Sequence, residues 1–162
     1  MSVGEMVREH DVHTDVQKYL TFVLGHEEYG LEILKVREII SVMEITQVPH
    51  VPPYIKGVIN LRGKVIPVMD LRLKFGMEPL EYNRETCIIV INMGGVVLGI
   101  VVDTVAEVLD IHETDIDPPP SFGTAVRTDF ILGMGKVKGK VKILLDIEKV
   151  LSAEEMEAVA AA

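Results

Sequence analysis

The residues best suited to metal binding or nucleophilic chemistry are five histidines and one cysteine, and their spacing supports neither use. His10, His13, His26, His50 and His112 are scattered, and no two share metal-ligand spacing on an expected strand or helix. Cys87 lies in the apolar run CIIVI and reads as a small buried hydrophobe. There is no G-x-S-x-G elbow and no Cys–His signature. Gly57 to Lys64 has the outline of a phosphate-binding loop. It carries five residues between its glycines, and Val65 stands where the loop needs a magnesium-binding hydroxyl. It reads as a hairpin turn. Asp70 and Asp146 invite reading as a catalytic pair, yet helix capping accounts for both. Asp110, His112, Glu113, Asp115 and Asp117 form an acidic stretch, read as a solvated strand end and loop. Lys136, Lys138, Lys140 and Lys142 alternate around Gly139, a pattern that edge-strand protection explains as well as an anionic partner does. The expectation is a protein that is not an enzyme and that holds no metal and no cofactor.

Two further charges stand in apolar surroundings. Glu38 sits in the strand-like run Val36 to Ile40, and Arg62 sits at a tight turn between apolar runs. A charge so placed usually needs a partner. Two readings stay open from the residues alone: polar faces of amphipathic strands, or a salt bridge bracing a binding surface.

The elements that must position these residues are short strands. Apolar and β-branched runs over 19–24, 28–33, 36–42, 54–61 and 64–69 are followed by Asp70, which caps a short helix ending at Gly76. Pro49, Pro52 and Pro53 make the segment between the third and fourth runs an ordered loop or crossover. The second half repeats the pattern: 86–92, 96–102, 105–111, a triple-proline loop over 115–123, 130–138 and 140–145, then Asp146 capping a short helix. Ser152 and Glu155 form a capping box that starts a C-terminal helix over 152–162. The halves match in sequence. Gly30 to Ile40 aligns with Gly99 to Leu109 at an offset of 69. Tyr54 to Gly57 aligns with Phe130 to Gly133, Gly63-Lys64-Val65 with Gly139-Lys140-Val141, and Asp70 with Asp146, at an offset of 76. Such self-similarity marks a duplicated unit. A mainly β fold of two five-stranded barrels sharing a core is expected, divided near 17–85 and 86–151, after a flexible arm over 1–16. Neither unit is of comfortable size alone.

Composition narrows the partners. Val and Ile supply 24 and 16 of the 162 residues, Trp is absent, and 25% of residues are charged. The net charge of −9 argues against nucleic acid or an anionic membrane face. Thr86 to Val102 is uncharged over 17 residues, but Asn92, Gly94 and Gly95 interrupt it, so it reads as two paired strands rather than a membrane helix. A cytoplasmic protein is expected.

The runs Tyr29 to Ile40, Pro49 to Gly57, Asn60 to Gly63 and Ile66 to Arg72 together resemble the CheW-like adaptors of bacterial chemotaxis. So do Gly99 to Val108, Pro118 to Phe122 and Ile143 to Leu151, and the likeness covers about 17–157. The resemblance implies a non-enzymatic scaffold that couples chemoreceptor cytoplasmic tips to the regulatory domain of the histidine kinase CheA. Recruitment to receptor arrays at the inner face of the membrane, through the receptors alone, is implied as well. An adaptor of a non-flagellar pathway, serving pili or development, is the alternative. The resemblance also implies a receptor-binding groove near Val36, Glu38, Gly57 and Arg62, with Glu38 and Arg62 joined as a structural salt bridge. Ile33, Ile39 and Val105 are further candidates for that groove. Phe122 is the implied kinase contact, on the loop after the prolines.

Overall fold

Alternation of β-branched residues decides the strands. A computed structural model describes residues 15–121, 128–152, 154, 155 and 157. Eleven strands run in chain order among them. They are β1 (Val16–Leu24), β2 (Glu27–Glu32), β3 (Val36–Ser41), β4 (Ile55–Leu61), β5 (Lys64–Asp70), β6 (Cys87–Met93), β7 (Val96–Val102), β8 (Thr104–His112), β9 (Ile116–Asp117), β10 (Ile131–Val137) and β11 (Lys140–Leu145). Short helices α1 (Leu71–Lys74) and α2 (Ile147–Val150) follow β5 and β11. Asp70 and Asp146 cap them, accepting from the backbone N–H of Leu73 and of Glu148, both at 3.2 Å. Capping is thus what these two carboxylates do. The expected arm falls on residues outside the described ones, except Asp15 and Val16.

The strands form two sheets, in the orders β3-β6-β7-β5-β4 and β8-β1-β2-β11-β10-β9. Chain connection closes both into rings. A 3-10 turn, Glu113–Asp115, joins β8 directly to β9. Thr46, beyond β3, bridges to Val58 on β4. Two barrels are present as expected, one of five strands and the other with a sixth, β9; replacing each strand of the first order by its repeat equivalent gives the second order up to β10.

The expected division near residue 85 separates repeat units, not barrels. One barrel is contiguous, built from β3 to β7. The other is split, built from β1, β2 and β8 to β11. The connections explain the exchange. Only Ile33–Lys35 separate β2 from β3, and only Asp103 separates β7 from β8. To join its own unit's barrel, β3 would run parallel to β2 on the far side of β1. A parallel return needs a crossover of about a dozen residues. The chain therefore runs straight on into the other barrel.

The apolar side chains sort by face. Ile88 and Val90 of β6 point into the contiguous barrel with Ile59, Ile66 and Val68. Ile89, Ile91 and Met93 point the other way, against Leu20, Phe22, Leu24 and Leu31 of the split barrel. A strand buried on both faces reads as an unbroken apolar run, which is why 87–91 does. The largest cluster thus lies between the barrels, and each aliphatic side chain buried there contributes roughly 1.5–3 kcal/mol. Aromatic rings cross this junction: Phe22, Tyr29, Phe75 and Phe130 follow one another at centroid spacings of 5.8, 5.9 and 5.5 Å.

Two further expectations change. The loop over 115–123 contains the short strand β9, paired with Met134 and Gly135 on β10. Gly133 permits this approach, because a Cβ there would stand 2.9 Å from the Asp117 carbonyl oxygen. The lysine alternation does not protect an edge. β11 lies between β2 and β10, and Lys142 is buried and ion-paired with Glu28. At the equivalent places in the contiguous barrel stand Ile66, which is buried, and Val97, packed against the same cluster.

Candidate functional site

The contiguous barrel closes along a seam, where the run leaving β3 meets β4. Two backbone bonds hold it: Thr46 N–H to the Val58 carbonyl at 2.8 Å, and Val58 N–H to the Thr46 carbonyl at 2.9 Å. Gly57 makes the approach possible. Its φ is +141°, and a Cβ built on it would fall 2.0 Å from the Thr46 carbonyl oxygen. Gly57 is itself buried, so it shapes this face through backbone geometry rather than by contact.

Glu38 and Arg62 span the same seam. Arg62 is the first residue of the β4–β5 turn, where φ is +52° at Arg62 and +88° at Gly63. Positive φ at both positions gives a type I′ turn, whose twist suits a hairpin. The turn aims the guanidinium at β3, and both its terminal nitrogens bond the Glu38 carboxylate, Nη1 to Oε1 at 3.1 Å and Nη2 to Oε2. The Arg62 hydrogen bond holds the Glu38 carboxyl below its usual range, and Glu38 raises the guanidinium in return. The pair is exposed, with 69% of the Arg62 side chain accessible. A two-point fork of this kind fixes orientation more than it adds stability.

Beside the pair lies apolar surface. Ile39 is 43% exposed and pairs across to Ile89, whose side chain belongs to the junction core. Ile39 therefore carries that apolar face out to solvent. Ile33, Val36 and Val105 are half-buried against the same core. Ile33 and Val36 flank one crossing between the barrels, and Val105 follows the other. Phe122 lies outside the described residues.

Among the exposed apolar residues that escaped the sequence reading, two bear on this face. Leu34, 90% exposed, projects from the turn between β2 and β3. Val108, 51% exposed, pairs across to Leu20 of the junction core, as Ile39 does to Ile89. The repeat carried the signal for it, since Val108 aligns with Ile39. The second copy lacks the ion pair. Among the described residues none joins Glu107 to Lys138, and the Glu107 backbone bonds the Thr21 hydroxyl instead.

Among the described residues no three His, Cys, Asp or Glu side chains converge as a metal site would require. A concavity outlined by Asp70, Arg72, Tyr82, Thr86 and Asp103 encloses room for about one water. No described helix is long and apolar enough to cross a membrane. The arrangement suits docking: an exposed apolar rim, an oriented charge pair, and a rigid frame behind both.

Residues 18–155 match the family model of the CheW-like domain. A chemotaxis protein CheW from Klebsiella aerogenes is 46% identical over 140 residues, 86% of this chain and 84% of the relative. One from Helicobacter pylori is 34% identical over the same shares. The crystal structure of the scaffolding protein TtCheW from Thermoanaerobacter tengcongensis, 37% identical, superposes with a TM-score of 0.78 over 86% of this chain and 94% of that one.

Proposed function

The chain belongs to the CheW-like domain family, and on that premise we propose that it is a non-catalytic adaptor of bacterial chemotaxis, joining chemoreceptor cytoplasmic tips to the regulatory domain of the histidine kinase CheA. The observation that carries this reading is the family match across residues 18–155, nearly the whole described chain. The seam face supports it. Ile39 and Leu34 offer apolar anchors to an amphipathic helix, and the Glu38–Arg62 fork fixes its register. Val36, Ile33 and Val105 back that face from the junction, and Gly57 holds its geometry. Phe122 and the contiguous barrel are the proposed kinase side. Contacts of modest strength become an ordered array through multivalency. Control of the kinase then requires different affinity for its active and inactive states. Through its receptors the protein is held at the inner face of the membrane.

An NMR titration of labelled protein tests this, once with a receptor-tip fragment and once with the kinase regulatory domain. Two separate shifted patches are expected, with Val36, Glu38 and Arg62 in the receptor set. Shifts with neither partner would leave the fold without this function.

A further inference from the structure

Both oxygens of one carboxylate, on Glu155 just past α2, are hydrogen-bonded. Its Oε1 accepts the Ser152 backbone N–H at 2.8 Å, and the Ser152 hydroxyl accepts the Glu155 N–H at 3.2 Å, a complete capping box. Its Oε2 accepts from Lys74 Nζ at 2.6 Å and from the Tyr54 hydroxyl. Lys74 also sits 4.6 Å from the Tyr54 ring centroid. One side chain thus starts the C-terminal helix with one oxygen and seats it on the contiguous barrel with the other.

That helix begins at the capping box, and Glu154, Glu155 and Glu157 are helical. Closing the first turn of a helix is its unfavourable nucleation step. Its formation therefore depends on being seated, which makes it an element with two states, folded and docked or loose.

The seat adjoins the proposed docking face. Tyr54 immediately precedes β4, three residues before Gly57, and its carbonyl accepts the Asp70 N–H at 2.7 Å. A second tie runs from the same C-terminal segment to the other flank. Glu148 of α2 pairs at 3.1 Å with Lys35, between the exposed Leu34 and the half-buried Val36. The C-terminal segment braces both margins of the face.

We propose that Glu155 is a positioning residue for partner docking: through Tyr54 it couples the folding of the C-terminal helix to the geometry of the β3–β4 seam. This rests on the adaptor reading and adds a regulated element to it. Coupling is reciprocal, so a partner bound at the seam tightens the helix by the factor by which the helix tightens the partner.

The test uses the full chain and a receptor-tip fragment. In E155Q, amide exchange at residues 154, 155 and 157 should speed up, and affinity for the fragment should fall about fivefold or more, with the melting midpoint nearly unchanged. In the wild type, the fragment should slow exchange at the same amides by a similar factor. Y54F/K74M loosens the seat without touching the capping box, and should give the same two changes. A loose helix with wild-type affinity in either variant overturns the inference. So does a helix that stays protected in both. Absence of fragment binding by the wild type would instead overturn the adaptor reading.

Discussion

Arg62 and Gly57 serve one seam in different ways, and substitution separates them. Arg62 is exposed, so its fork to Glu38 orients groups rather than stabilising the fold. Arg62→Ala should weaken binding of a receptor-tip fragment about tenfold while the urea midpoint scarcely moves. A midpoint that fell in step with binding would make the role structural. Gly57 is buried against the Thr46 carbonyl, and no side chain fits there. Gly57→Ala should cost about 2 kcal/mol or more in urea unfolding, and speed exchange of the Val58 amide as its bond to Thr46 is lost. The Glu38–Arg62 pair was half legible in the sequence. Two charges in apolar runs announced a need for partners, but nothing in the spacing said that β3 and the β4–β5 turn meet. The Gly57–Thr46 approach was not legible, because it depends on closure of the whole barrel.

At the scale of elements, alternation shows that a strand has two faces without showing which is inside. Lys142 illustrates the gap. Its spacing from Lys140 suited a solvated strand, whereas β11 is central and turns Lys142 inward to Glu28. Breaking such a pair leaves a buried charge, while replacing both partners with apolar groups is often neutral or better. E28V alone should therefore cost about 2 kcal/mol, less than the ~3–5 kcal/mol of a fully buried pair because Glu28 is partly exposed, and E28V/K142I should recover the loss. Chemical denaturation of the two variants measures the difference. The C-terminal capping box was fully legible, its seat on Tyr54 and Lys74 was not, and its pH dependence has a definite sign. Burial pushes the Glu155 carboxyl up, but hydrogen bonds from Lys74, Tyr54 and Ser152 outweigh it and bring it down to about 2. A depressed carboxyl contributes fully above its unfolded value, near 4.3, and loses that contribution as pH falls through its folded one. Exchange protection at residues 155 and 157 should hold down to about pH 4 and drop between there and about pH 2, a drop absent in E155Q.

At the scale of the molecule, the repeat declared two barrels of five strands each; both barrels are present, and one gains β9 as a sixth strand. How the strands are shared was legible too, in the three residues after β2 and the single residue after β7, but only once the sheet orders showed which strands are neighbours. Contiguity in sequence is the usual guide to adjacency in space, and here it misleads. Repeat unit and folding unit are consequently different stretches of chain. Residues 16–85 hold one whole repeat, yet β1 and β2 lack their neighbours β8 and β11, and β3 and β5 lack β6 and β7. Residues 36–102 cross the repeat boundary and hold a complete barrel, with Ile89, Ile91, Leu98 and Ile100 uncovered where the other barrel packed. The two fragments should therefore behave in opposite ways. The 16–85 fragment should show no strand signal by far-UV circular dichroism. The 36–102 fragment should show one, and should self-associate through its bared apolar face. The intact chain, its main core shared by both barrels, should melt in a single transition by every probe. A folded 16–85 fragment, or two separate transitions in the whole protein, would mean that each unit can close on itself and that connection length is not what interlocks the barrels.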